Sequence, residues 1–165
     1  MNFLDINTGR TTKEMLFHII LLVLIVLTVL SFFVHSLMPP EISGAEIDSA
    51  AGAVDSVVPE SSSIGSFIIS NLSSIAHLVE YGLLGAELSL YVFFFTNKRM
   101  QASIVFFGCV HIIALIDETL QLFSGRVADV VDIWLDIIGY TVMFAAALGV
   151  MLAVKKIRNK DIKNG

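Results

Sequence analysis

The sequence predicts an all-α membrane protein, a bundle of four transmembrane helices with both termini in the cytoplasm. Hydrophobic residues make up 56% of the 165 residues and charged residues only 15%, whereas about 25% of the residues in soluble domains are charged. A soluble monomer of this size would lack the charged side chains to cover its surface. Four apolar segments reach the length of about 20 residues that a membrane-spanning helix needs. The basic residues fall in alternate connections between these segments.

Charge and cysteine content exclude several classes of protein. The net charge is -5, from 10 basic and 15 acidic residues, and an acidic chain without a basic patch facing outward is a poor nucleic-acid-binding protein. The single cysteine, Cys109, excludes an internal disulfide and a zinc site built from cysteines alone. The sequence contains no GxSxG, HExxH, P-loop or GxGxxG motif, so it offers no support for the soluble-enzyme chemistry that these motifs carry.

The four predicted helices are bounded by prolines and charged residues. The first covers residues 15–38, contains no Asp, Glu, Lys or Arg, and ends at Pro39 and Pro40, which cannot continue a helix. A signal peptide is the alternative, but the apolar run is longer than the apolar region of a typical signal peptide and lacks a small-residue cleavage site, so we predict a retained helix. The other helices are predicted from about residue 67 to 95, from 102 to 123 and from 132 to 154.

The distribution of basic residues predicts the topology, because short cytoplasmic segments are enriched in Lys and Arg. Nine of the ten basic residues lie in alternate segments: Arg10, Lys13, Lys98, Arg99, Lys155, Lys156, Arg158, Lys160 and Lys163. This predicts a cytoplasmic segment 1–14, a membrane domain 15–154 and a basic cytoplasmic tail 155–165. Segment 39–66 is then outside. Its composition leaves open a solvated loop or a short amphipathic helix, whose apolar face would contain Ile47, Ala50, Ala51, Val54, Val57 and Val58.

Polar residues within the predicted helices fall in three groups that reach the same leaflet. They are His77, Glu80 and Tyr81 in the second helix, Asp117, Glu118 and Gln121 in the third, and Asp132 and Asp136 in the fourth. Their spacing of three or four residues places the members of each group on one helix face. The second and fourth helices begin outside and the third ends there, so all three groups lie at the outer leaflet. Arg126 lies in the short connection between the third and fourth helices.

The charges of this set do not balance. Its five carboxyl groups face at most two cations, Arg126 and a protonated His77. They cannot all stay ionised in lipid, so some are protonated, or a divalent metal or cationic ligand is present. One interpretation is structural: Arg126 forms a salt bridge with Asp132 or Asp136, and the network holds the helices together. The other is a ligand-binding or catalytic site, which we favour because helix pairing needs fewer polar groups than this.

These residues, in this order, resemble the VanZ-like family of bacterial membrane proteins. The matching elements are HxxEY at residues 77–81, DExxQ at residues 117–121 followed by Gly125 and Arg126, and DxxxD at residues 132–136 followed by Gly139. The family usually has a basic residue a few positions before the histidine, where this chain has Ser73 and Ser74. The resemblance implies a protein of the bacterial cell envelope, related to one that gives low-level resistance to the acylated glycopeptide teicoplanin.

The residues and the resemblance are consistent with two functions. The first is an accessory factor in glycopeptide resistance that binds a lipoglycopeptide, a lipid-linked cell-wall precursor or a wall-synthesis protein. The second is an integral-membrane enzyme, with metal assistance, that acts on a lipid-linked headgroup, with the carboxylates as ligands or acid and base and Arg126 holding a phosphate. A transporter ranks third, because the polar groups lie at one end and leave the other half of the bundle closed.

Overall fold

The chain folds into helices alone over the residues that the structure describes. The computed structural model describes residues 11–164 and contains six helices: α1 Thr12–Ser36, α2 Pro40–Val57, α3 Ser63–Ser70, α4 Leu72–Phe95, α5 Arg99–Phe123 and α6 Val130–Asn164. Four of them, α1, α4, α5 and α6, are long and apolar enough to cross a membrane. The predicted all-α fold with four spanning helices is thus confirmed. Residues 1–10 of the predicted N-terminal segment, and residue 165 of the tail, lie outside the described residues.

The helix ends differ from the predicted ones for local reasons. Helix α1 begins at Thr12 because Thr11 and Glu14 form a capping box, in which each side chain accepts a hydrogen bond from the other residue's backbone N–H. Helix α4 begins at Leu72 and not at about residue 67, because the chain leaves helical geometry at Asn71 and closes off the separate helix α3. Helix α6 continues ten residues past the predicted end of the apolar segment, since Lys and Arg are good helix formers outside the lipid.

Segment 39–66 is mostly helical, which agrees with the amphipathic alternative. Proline at the first position of α2 suits the start of a helix, where its missing N–H has no partner to lose. The half-buried residues of α2 include Ile47, Ala50, Ala51 and Val54, on the predicted apolar face. A contact of 3.5 Å between His35 Nε2 and Glu46 Oε2 joins α2 to the end of α1. Segment 39–66 thus packs against the end of the bundle where α1 ends.

Helix α4 is the centre of the bundle. In its most apolar window 56% of the residues are buried, against 17% in each of the other three spanning helices. Helix α6 packs along α4 over most of its length, and glycines allow the close approach. A Cβ atom on Gly85 would collide with the carbonyl oxygen of Tyr140, and one on Gly139 with that of Leu78. Small residues at helix contacts are the usual means of close packing in lipid, where no hydrophobic force brings helices together.

Candidate functional site: a buried histidine–carboxylate cluster

The imidazole of His77 lies between two carboxylates of α6. Its Nδ1 is 2.9 Å from Oδ1 of Asp136, and its Nε2 is 3.9 Å from Oδ2 of Asp132. The two aspartates are four residues apart and therefore lie on the same face of α6. His77 is 7% exposed and Asp136 is fully buried. The close approach at Gly139, one turn from Asp136, brings α6 near enough to α4 for this contact.

Helix α5 adds two buried carboxylates to the same place. Asp117 and Glu118 are 2% and 4% exposed. Asp117 Oδ1 accepts a hydrogen bond from the Ser36 hydroxyl at the end of α1. The nitrogen and oxygen atoms of two overlapping groups lie within 4.8 Å of one another: His77, Asp117 and Asp136, and His77, Glu118 and Asp132. We call these five residues the polar cluster, and the end of the bundle that holds it the acidic end.

Glu118 also fixes the turn between α5 and α6. Its Oε1 accepts a hydrogen bond from Gln121 Nε2, and its Oε2 accepts one from the backbone N–H of Asp129, both at 2.9 Å. Helix α5 ends at Phe123 with the backbone hydrogen bonds of a Schellman motif, in which Gly125 has a φ of +83°. The turn is therefore short and held at both ends, which sets where α6 begins relative to α5.

Arg126 is placed by this turn but has no acidic partner. Its backbone N–H donates to the carbonyl oxygen of Gln121 at 3.0 Å, which completes the Schellman motif. Its side chain is half-buried. Among the side chains that the structure describes, no carboxylate oxygen lies within 4 Å of its guanidinium group. The salt bridge to Asp132 or Asp136 in the structural interpretation is therefore absent from the described part of the chain.

Glu80 and Tyr81 lie on the same helix as His77 but have other surroundings. Glu80 faces α1, where its Oε1 is 3.9 Å from His35 Nδ1. Tyr81 is fully buried in the apolar core and stacks on Phe32 with 4.7 Å between ring centroids. Within the described part of the chain, the hydroxyl group of Tyr81 has no hydrogen-bond partner, and neither does Oδ2 of Asp136. A buried polar atom without a partner is uncommon in proteins and is often explained by a water molecule or ion.

Ser36 and His35 contact predicted site residues, although the sequence analysis did not include them. The signal was present: both residues lie at the end of the first apolar segment, which was predicted to reach the same side of the membrane as the three polar groups. They were missed because the first apolar segment contains no acidic residue, whereas each of the three predicted groups contains at least one carboxyl group. The structure brings α1 to the polar cluster through Ser36 and Asp117, and to Glu80 through His35.

The donor atoms of the polar cluster suit a divalent cation. Imidazole nitrogen and carboxylate oxygen are ligands that Zn²⁺ and Mn²⁺ accept. His77, Asp117 and Asp136 are all buried, whereas Asp132 in the other group is partly exposed. We call the buried group of His77, Asp117 and Asp136 the inner group, and the group of His77, Glu118 and Asp132 the outer group. The two carboxylates of the inner group would balance the charge of a divalent ion. The cluster thus combines buried potential ligands with Arg126, with which no described carboxylate pairs.

Fold and cluster together define a multi-pass helical membrane protein with a buried histidine–carboxylate network at one end. The sequence model of the VanZ/LLP1 family matches residues 15–153, so the chain belongs to this family, and the resemblance predicted from its three sequence elements is confirmed. Neither a curated protein nor a solved structure matches the chain.

Proposed function

We propose that this protein acts at the outer leaflet of the bacterial cell membrane as an accessory factor in resistance to teicoplanin-type glycopeptides. In this proposal the acidic end faces outward and binds a lipid-linked cell-wall precursor or the lipoglycopeptide itself. Membership in the VanZ/LLP1 family supports a role in the cell envelope. The convergence of polar groups from α4, α5 and α6 on His77 supports a binding site at that end.

The observation that carries the proposal is that no described carboxylate pairs with the guanidinium group of Arg126. A guanidinium group without an acidic partner, on a backbone fixed by the Schellman motif, can hold a phosphate or carboxylate through two parallel hydrogen bonds. Lipid-linked wall precursors offer phosphates, and glycopeptides offer carboxylates. An arginine that served only to pair helices would be expected next to one of the five carboxylates of the acidic end.

Drug susceptibility tests this function directly. We expect expression of the protein in a susceptible host to raise the inhibitory concentration of teicoplanin more than that of a glycopeptide without an acyl chain. Arg126→Lys keeps the charge but loses the paired donors, and Asp136→Asn keeps the shape but loses the charge. Both variants should accumulate like the wild type and give no protection. Glu87→Gln is the control, because Glu87 is a buried carboxylate whose hydrogen bond, at 3.0 Å, is to Thr28 outside the polar cluster.

Two results would count against the proposal. Full protection by both variants would reduce the polar cluster to a device for helix packing. Loss of protection in Glu87→Gln as well, with normal accumulation, would show that any change to a buried carboxylate suffices and that the cluster has no special part.

The second candidate function is a metal-assisted enzyme that acts on a lipid-linked headgroup. The inner group of His77, Asp117 and Asp136 favours it, because no described residue forms a hydrogen bond with Oδ2 of the fully buried Asp136. A bound divalent ion would give this oxygen a partner and balance the two carboxylates. Such an ion supplies Lewis-acid chemistry to a phosphate ester, and Arg126 would hold the phosphate.

Metal analysis of the purified protein separates this candidate from the first. If the protein is a metal-assisted enzyme, we expect about one equivalent of Zn²⁺ or Mn²⁺ in the wild type, and loss of the metal in Asp117→Asn and Asp136→Asn. Glu118→Gln should retain it, because both oxygens of Glu118 already accept hydrogen bonds in the α5–α6 turn. Metal-free wild-type protein that still protects against teicoplanin would leave the binding function and eliminate the enzyme. Loss of the metal in Glu118→Gln, with the metal retained in Asp117→Asn and Asp136→Asn, would assign it to the outer group.

A further inference from the structure

A pocket of about 590 Å³ lies at the end of the bundle opposite to the polar cluster. It is formed by the end of α4, the connection to α5 and residues 150–159 of α6. Phe94 is 17 residues from His77 on α4, which corresponds to roughly 25 Å along the helix. The pocket therefore does not belong to the candidate site described above. We call this end of the bundle the basic end.

The charged residues that line the pocket are all basic: Arg99, Lys155 and Arg158. None of the three has a carboxylate oxygen within 4 Å among the described side chains. Three cations around one pocket repel each other, and bringing them together is favourable when an anion occupies the space between them. The pocket thus has the charge of an anion-binding site.

The side chain of Arg99 is held by a hydrogen bond and by a contact with an aromatic ring. Its Nη2 donates a hydrogen bond to the carbonyl oxygen of Phe93 at 3.3 Å, and its guanidinium carbon lies 5.4 Å from the centre of the Phe93 ring. The ammonium group of Lys155 lies 5.8 Å from the centre of the same ring. The Nε atom of Arg99 is buried and has no hydrogen-bond partner among the described residues. A buried donor without a partner is uncommon in proteins and is often satisfied by a bound molecule or ion.

Part of the remaining wall of the pocket is apolar and exposed. Phe94, Val150 and Val154 line it and are 54%, 62% and 58% exposed. The apolar part of α6 ends at Val154, and the 35 residues of this helix extend over roughly 52 Å, well beyond a hydrocarbon core of about 30 Å. The pocket therefore lies where α6 leaves the lipid, at the level of the headgroups, with its apolar wall toward the acyl chains.

We infer that this pocket binds an anionic phospholipid, with the phosphate headgroup between Arg99, Lys155 and Arg158 and the acyl chains along Phe94, Val150 and Val154. Basic pockets between transmembrane helices are known to hold lipid headgroups. The apolar wall favours a lipid over a free phosphate ion, which would have no contact with it. The inference does not depend on the function proposed for the polar cluster, since it concerns other residues at the other end of the bundle.

Native mass spectrometry of the purified protein tests the inference. Phosphatidylglycerol and phosphatidylcholine are added in separate titrations, and the lipid that remains bound is counted. We expect one phosphatidylglycerol to be retained in preference to phosphatidylcholine. Arg99→Gln and Arg158→Gln should each weaken the binding by about fivefold, the effect of one basic residue at an anionic membrane surface. Lys98→Gln is the matched control, because Lys98 is adjacent to Arg99 in sequence but does not line the pocket.

Three results would overturn the inference. Equal retention of the two lipids would show that no headgroup site exists. An equal loss of binding in Lys98→Gln would show a general attraction of basic residues for anionic lipid. Displacement of the lipid by millimolar inorganic phosphate would identify a soluble phosphate as the ligand. Because Arg158 is exposed at a position late in α6, Arg158→Gln keeps the test valid if Arg99→Gln does not fold.

Discussion

The acidic end and the basic end of the bundle hold their charged side chains in different ways. At the acidic end His77, Asp117 and Asp136 are buried and hydrogen-bonded between helices. At the basic end Lys155 and Arg158 are exposed, and no described carboxylate pairs with them. Charges at the membrane surface are solvated by water and headgroups, whereas charges between helices need a partner or a ligand. The difference indicates that the charges of the acidic end depend on contacts between helices, whereas Lys155 and Arg158 at the basic end are open to their surroundings.

The largest expected contrast between the two ends is in their accessibility across the membrane. Two cysteines, Ser61→Cys and Asn97→Cys, are introduced separately into a Cys109→Ser background. Both positions are exposed, and Ser61 is preferred to Ser62 because the Ser62 side chain caps α3 by accepting from the N–H of Gly65. If the acidic end faces outward, a membrane-impermeant maleimide labels intact cells at residue 61 fully and at residue 97 only after permeabilisation. The opposite pattern would invert the topology and place the polar cluster at the cytoplasmic face.

The second effect concerns the contact between α4 and α6, on which the acidic end depends. Gly139→Ala places a Cβ against the backbone of Leu78, so the helices must separate at a contact near the bond between His77 and Asp136. We expect this overpacking to cost about 1–3 kcal/mol. Gly149→Ala on the same helix is the control, because nothing lies within 4 Å of its Cβ. It should be neutral or stabilising by up to about 1 kcal/mol, since alanine is the better helix former.

Thermal unfolding in detergent measures both glycine variants. Both variants carry the same substitution in the same helix. A difference in their stability therefore comes from the contact of Gly139 with α4. Equal stability of Gly139→Ala and Gly149→Ala would show that α4 and α6 can separate at no cost, and that the acidic end has no fixed geometry.

The smallest effect is expected at the contact of α1 with the polar cluster. Ser36→Ala removes the hydrogen bond to Asp117 and leaves a buried carboxylate oxygen without a donor, which should cost about 1–2 kcal/mol. Ser31→Ala is the control, since the Ser31 hydroxyl donates within its own helix to the carbonyl oxygen of Thr28 at 2.7 Å. The same unfolding measurement checks both variants. An equal change in both would mean that the contact between α1 and α5 contributes no stability.

Most residues of the candidate site could be predicted from the sequence, but not which residues of other helices they contact. The four-residue spacing of Asp132 and Asp136 predicted that these side chains share one face of their helix, and the structure places both beside His77. Glu80 was predicted to share a face of the second helix with His77, yet it turns toward His35. Arg126 was a candidate for a salt bridge, yet no described carboxylate is close enough to form one. The periodicity determines on which face of a helix a side chain lies. The residues that the side chain contacts belong to other helices, and the periodicity does not determine them.

The sequence by itself determined the number of spanning helices, the alternation of the basic segments and the helix face of each polar group. These properties follow from apolar length, charge and a repeat of 3.6 residues, all of which are local. Only the tertiary structure decided that Ser36 reaches Asp117, that Glu80 faces His35 and that Arg99 and Arg158 line one pocket. The physical reason is that lipid gives helices no hydrophobic drive to associate, so their rotation and distance depend on close contacts such as those at Gly85 and Gly139.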